Sequence, residues 1–307
     1  MQKRISKLLI LIVLVLCSIS CKDDETPIVK KFELTSTNNN EQVIAAMEHA
    51  LSIWESHLEI DVPIKVNVFF TPISVGFLGR SIPNGRRDFD GAPFTNIWYP
   101  SALANQLTGT ELNEGEFDMD ILMDGTSDWY YGTDGNPGPD QFDFVSVFLH
   151  EICHSLGFGS LADIVEGQGA WSVNIESDLY TPSFPIPDLE NRPTIYDLFL
   201  ENGLLFRLTD ESRFGNPSFE LTLEFTGGDL FWGGEIAQSA NGDLRPQIYA
   251  PSTFRPGSSI GHLDEATYES GTSNALMTPT FQRGEVIHEP GPIILGALQD
   301  MGWTLKQ

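Results

Sequence analysis

Cysteine is nearly absent from this chain: 307 residues hold three, Cys17, Cys21 and Cys153. Cys17 and Cys21 sit in an N-terminal segment that reads as a leader. With Cys17 removed and Cys21 modified, Cys153 has no partner. No intramolecular disulfide then braces the fold, and stability must come from a core or from bound metal. Basic residues are also scarce. Seventeen Lys and Arg face 43 Asp and Glu, for a formal net charge of −26. So acidic a chain is repelled by nucleic acid and by anionic lipid headgroups, which excludes both as partners of its surface. There are only six histidines: His49, His57, His150, His154, His262 and His288. The longest apolar run at the N-terminus, Leu8–Leu16, is too short to cross a bilayer as a mature helix. What remains is a globular composition, 41% hydrophobic and 11% aromatic, long enough for one large domain and free of repeats or low-complexity runs.

The N-terminus reads as an export signal. Lys3, Arg4 and Lys7 precede the apolar run, and Ser18-Ile19-Ser20-Cys21 follows it. A small residue before a cysteine resembles a relaxed bacterial lipobox, which makes residues 1–20 a signal peptide and Cys21 the lipidated residue. Lys22-Asp23-Asp24-Glu25 resembles the acidic export tag of Bacteroidetes lipoproteins; a plain solvated spacer explains it equally well. Residues 21–35 are expected to be a lipidated flexible tether, holding the rest off an outer membrane and, if the tag operates, at the cell surface.

The chemistry-bearing motif is His150-Glu151-Ile152-Cys153-His154. Histidines four apart on a helix project from one face, so both imidazoles reach one metal ion, and the intervening glutamate touches a water there without being a ligand. Asp143 is a good N-cap for this helix, and Phe144, Val147, Phe148 and Ile152 give it helical apolar spacing. A buried helix carrying two histidines and a carboxylate is expensive unless a cation compensates it. Cys153 reads as a small buried packing residue rather than a ligand.

A catalytic zinc site needs a third protein ligand and one open position. His49 and His57 belong to an early amphipathic helix and are expected to face solvent, which leaves His262 and His288. Glu176 has the spacing of the third ligand of thermolysin-like enzymes, although its surroundings look extended rather than helical. The order of motifs resembles leishmanolysin-type metzincin peptidases: H-E-x-x-H-x-x-G-F over residues 150–158, a long insertion, a delayed histidine at His262, then Leu276-Met277-Thr278. The contiguous metzincin motif would put its third histidine at position 160, which is Ser160 here. The resemblance implies that His262 is the third ligand, that Met277 is the methionine of the turn beneath the metal, and that the activity is zinc-dependent cleavage of protein or peptide substrates with Glu151 as general base. In some metzincins a tyrosine two residues after that methionine aids the oxyanion; here the position is Pro279.

The expected fold is α+β, a metzincin-like zincin catalytic domain over residues 36–307. Its upper lobe (36–158) would hold a sheet, a helix capped by Asn40 and running to Leu58, strands near 63–70 and 117–123, and the zinc helix. Its lower lobe (159–307) would be irregular, carry the Met-turn and end in a helix within 291–303. Asp124–Asp128 and Asp134–Asn136 form a candidate Ca2+ site, or simply Asp/Asn/Gly turns. A non-catalytic surface binding protein on a protease scaffold remains the alternative from another class; Glu151 argues against it.

Overall fold

The computed structural model describes residues 30–74, 76–172, 182–185 and 191–307. The signal peptide, Cys21, Lys22–Glu25 and Glu176 lie outside the described residues.

A four-stranded sheet organises the N-terminal half. Its strands are β1 (Phe32–Ser36), β2 (Ile64–Thr71), β3 (Gly79–Pro83) and, after two short paired strands β4 (Gly85–Arg87) and β5 (Trp98–Pro100), β6 (Met119–Asp124). The spatial order is β1-β2-β6-β3, with β3 antiparallel at one edge and the other three mutually parallel. Strand β1 corrects the expected tether. Residues 32–35 are not a leash but pair with β2 from Phe32↔Ile64 to Ser36↔Val68. Phe32 and Leu34 alternate with polar residues, and Phe32 is buried, which is why the segment docks. In β2, Ile64, Val66 and Val68 are fully buried, whereas all six residues of β6 are buried, as expected for a central strand covered on both faces.

Helix α1 (Glu41–His57) starts where Asn40 accepts the Gln42 N–H at 2.9 Å. It buries Val43, Ala46, Met47, Ala50, Leu51 and Trp54, a 3–4 spaced stripe. Leu58 is the C-cap rather than a helical residue. The Trp54 indole N–H donates to the Leu149 carbonyl, tying α1 to α3 (Phe144–Leu156), with the short α2 (Ser101–Thr108) between them in sequence. Asp143 caps α3 by accepting the Ser146 N–H at 2.9 Å and its hydroxyl at 2.6 Å. Twelve of the thirteen residues of α3 are buried. Gly157, at φ 121°, ends the helix in a conformation that side chains resist, and so turns the chain beneath its own last turn.

The C-terminal half holds more regular structure than its Gly/Pro content suggests. After two-residue strands β7 (Trp129–Tyr130) and β8 (Phe142–Asp143) come the hairpin strands β9 (Asp163–Val165) and β10 (Gln168–Ala170), then β11 (Leu200–Asn202) paired with β12 (Leu230–Trp232). Helices α4 (Phe219–Thr226), α5 (Glu235–Ala240) and α6 (Pro292–Met301) complete it. Asp300 of α6 accepts the Ile236 and Ala237 N–H groups of α5 and the Trp232 indole N–H. The two halves share one core. Phe158, just past α3, packs on Tyr196 and Trp232 at ring distances of 5.1 and 5.9 Å, and the Trp303 indole donates to the Leu156 carbonyl. The architecture is α+β. Among the described residues no helix is long and apolar enough to cross a membrane.

Candidate metal centre

Three histidines from two distant segments meet. His150 and His154 come from one face of α3, and His262 comes from a loop 108 residues after His154. Their Nε2 atoms are separated by 3.0 Å (His150–His154), 3.2 Å (His154–His262) and 3.2 Å (His150–His262). Each Nδ1 donates to a backbone carbonyl: His150 to Leu276 at 2.6 Å, His154 to Phe158 at 2.7 Å, His262 to Ser258 at 2.8 Å. These bonds fix the tautomer. With the proton held on Nδ1, every Nε2 presents a lone pair and no donor lies between them. Burial also disfavours the cationic form. It drives His150 well below the usual imidazole range, His154 down to about 4 and His262 to about 3, and the neighbouring imidazoles add to the shifts of His150 and His262.

Three converging lone pairs in a buried site repel one another unless a cation sits between them. A tetrahedral ion with metal–nitrogen bonds of about 2.0–2.1 Å holds its nitrogens about 3.3 Å apart. The spacing of the trio therefore fits such an ion, and the carbonyl-anchored Nδ1 groups are the outer partners that metal-binding histidines use. Among the described residues this is the only group of three or more His, Cys, Asp or Glu side chains able to hold a metal.

Glu151, the residue after His150 on α3, is buried, 6% exposed. Its carboxylate lies against Gly79 of β3, so closely that a Cβ at Gly79 would stand 2.5 Å from Oε1. A side chain at Gly79 would push the Glu151 carboxylate out of this position. Desolvation raises the Glu151 pKa to about 8, while the positive charge of Arg80 pulls the other way. A bound cation would favour the carboxylate further.

The segments that carry His262 and Met277 are tied to each other. The Leu263 N–H donates to the Met277 carbonyl at 2.8 Å, and Leu276, the residue before Met277, provides the carbonyl that orients His150. Met277 is fully buried. The His262 loop is held in a demanding conformation. Ile260, β-branched, adopts φ 59°, its N–H donates to the Tyr249 carbonyl, and its own carbonyl accepts the Tyr196 hydroxyl at 2.8 Å. Ser160 is not part of the trio: its hydroxyl accepts the Ala162 N–H at 3.1 Å. The buried Asp197 has its pKa raised by desolvation to about 6.

The other candidates fall elsewhere. His288 donates to Asp143, the α3 cap, at 2.7 Å, so it braces the start of the helix and is not a ligand. His57 faces Glu289, and His49 lies edge-on to His288 with ring centroids 5.9 Å apart; both are half-buried rather than fully solvent-facing. In the calcium candidate, Asp124 accepts hydroxyls from Thr126 and Ser127 and the Ile73 N–H, which is turn stabilisation, while Asp134 bonds the Tyr130 hydroxyl. Cys153 is buried and free. Sequence reading gave no sign of Gly79, Arg80, Tyr196 or Ile260, because no motif marks them and only tertiary contact gives them a role.

Residues 18–164 match the model of a family described as SPBPB7E8-like. The matched stretch contains His150, Glu151 and His154 and stops short of His262. No curated protein and no solved structure matches the chain.

Proposed function

We propose that the protein is a zinc-dependent endopeptidase of metzincin type, exported and anchored to a membrane through a lipid on Cys21. The observation that carries the reading is the convergence of three neutral imidazoles, each with its Nε2 lone pair free, beside a buried carboxylate. Nitrogen donors in a tetrahedral arrangement suit zinc. His150, His154 and His262 would hold the ion and leave a fourth position open. Zinc bound there supplies Lewis acidity, lowering the pKa of water to about 7 and polarising a carbonyl oxygen.

The chain supplies the rest. Glu151, confined by Gly79 and buried away from competing water, takes the proton of the attacking water on a carboxylate oxygen. It then delivers that proton to the leaving amine nitrogen. Strand β3 lies at the sheet edge immediately beside Glu151, so an extended peptide adding along β3 brings its backbone past this carboxylate. Glu151 itself favours an enzyme over a binding module on the same scaffold.

The test is Glu151→Gln. The variant should retain full zinc stoichiometry by elemental analysis, since the carboxylate is not a ligand. Its peptide cleavage should fall by about 10²–10⁴-fold or more, the usual contribution of general-base catalysis. Wild-type-like cleavage by this variant would refute the mechanism. No cleavage of any peptide by the zinc-loaded wild type would refute the activity.

A further inference from the structure

We propose that Arg80 determines specificity: its guanidinium binds a carboxylate of the substrate, so that the protein selects peptides with an acidic side chain close to the scissile bond. This rests on the peptidase reading above. Arg80 is half-buried on β3, the edge strand beside Glu151. Its neighbours Gly79 and Ser81 face α3, Gly79 against Glu151 and Ser81 through its hydroxyl to Ser155. Alternation therefore puts Arg80 on the other face of the strand, opposite Leu122 in register, while its charge still acts on Glu151.

The unusual feature is that Glu151 is the one carboxylate whose charge acts on Arg80, and no described carboxylate bonds it directly. Carboxylates outnumber basic residues 43 to 17, and Arg86, Arg87, Arg207, Arg213 and Arg245 each engage one. Arg80 makes no hydrogen bond or salt bridge to any described residue. Removing a guanidinium from water without a direct hydrogen-bonding partner is unfavourable, and desolvation lowers the Arg80 pKa while the Glu151 charge offsets part of that. Arg80 is thus a half-buried arginine beside Glu151, with no direct hydrogen bond or salt bridge among the described residues, on the strand along which a peptide would lie. A peptide added along β3 presents alternate side chains to the Arg80 face. An Asp or Glu there completes a charge-assisted, two-pronged pair that a Gln or Asn cannot match.

The experiment uses zinc-loaded wild type and matched peptides in which Glu or Gln is stepped through the positions flanking the cleaved bond, with free or amidated C-termini. Wild type should favour Glu over Gln at one position by about tenfold or more in kcat/KM, mostly through KM. In Arg80→Gln that ratio should fall to about one, in Arg80→Lys it should survive in part, and in Arg80→Glu the preference should pass to Lys. Zinc stoichiometry and unfolding temperature show which variants are folded, and Arg80→Lys serves if Arg80→Gln is not. No Glu preference in wild type, or an equal loss on Glu and Gln peptides in Arg80→Gln, would overturn the proposal. A preference that follows the free C-terminus rather than the side chain would overturn it too. If wild type cleaves nothing, the peptidase reading fails separately. Calorimetry of the same peptides on the zinc-loaded protein then decides Arg80: a Glu preference lost in Arg80→Gln upholds it, and equal affinities overturn it.

Discussion

A histidine becomes a ligand when something else holds its second nitrogen, and here three backbone carbonyls do so. Two of the imidazoles were legible from local spacing, because four residues on a helix is a geometric statement. The third was legible only by resemblance, because nothing in the 107 residues of intervening sequence says that His262 returns to α3. The carbonyl of Leu276, the gap at Gly79 and the Tyr196 hydroxyl were not legible at all; backbone atoms and close approaches leave no residue-type signature. His262→Ala should lower zinc stoichiometry and abolish zinc-dependent activity, whereas His288→Ala should retain both and lose only some stability from the α3 cap. Full zinc occupancy in His262→Ala would remove it from the ligand set. Tyr196→Phe is a finer probe. It keeps the ring packed on Phe158 and Trp232 but frees the Ile260 carbonyl, letting the strained loop relax and His262 drift. Zinc affinity, measured by competition with a chelator, should weaken about fivefold to tenfold, with little change in overall fold. Unchanged affinity would mean that Ile260 is held by packing alone.

At the scale of elements, those with both a cap and a stripe were readable. Asn40 with α1, Asp143 with α3, and the alternation of β2 and β6 were anticipated to within a few residues. Strand β3 was not, since all five of its residues are half-buried and it shows no apolar alternation, as suits an edge. Helix α4 has no clear signature either: it buries Leu221 and Phe225 but exposes Phe219 and Leu223, which blurs its amphipathic pattern. The turn Tyr196–Phe199 carries a prediction of its own. Asp197 is fully buried there, accepts the N–H and hydroxyl of Thr194 on Oδ2, and has its pKa raised from 3.8 to about 6 by burial. The folded state thus binds this proton more tightly than the unfolded chain. The stabilisation is full below about pH 3.8 and is lost as pH rises to about 6. Asp197→Asn, which stays neutral and keeps the Thr194 bonds, should be more stable than wild type at pH 7.5 by about 1–3 kcal/mol. Near pH 4 the two should unfold alike in urea. A variant less stable than wild type at pH 7.5 would mean that the ionised carboxylate is needed by its neighbours.

On the proposed lipoprotein reading, the acidic charge of the whole chain bears on where the protein works. At −26 it is pushed away from anionic headgroups, so membrane residence needs a covalent anchor rather than surface attraction. A single acyl chain gives only marginal binding, whereas multiple acylation at one lipoprotein cysteine gives stable anchoring. The first described strand begins at Phe32, so ten residues separate it from Cys21, fewer than a tether reaching residue 35 would supply. Ten residues reach at most roughly 35 Å when fully extended, which under the proposed anchor bounds how far the first strand stands from the lipid. Cys21→Ala should release the protein from the membrane fraction or stall its maturation, read by fractionation and by the mobility of the processed chain. A Cys21→Ala protein that stays membrane-bound would refute the anchor. Neutralising Lys22–Glu25 should leave lipidation intact. If those residues act as an export tag, the neutralised protein should also become inaccessible to protease added to intact cells. Unchanged accessibility would make them a spacer only, with their acidity serving to keep the stem off the lipid surface.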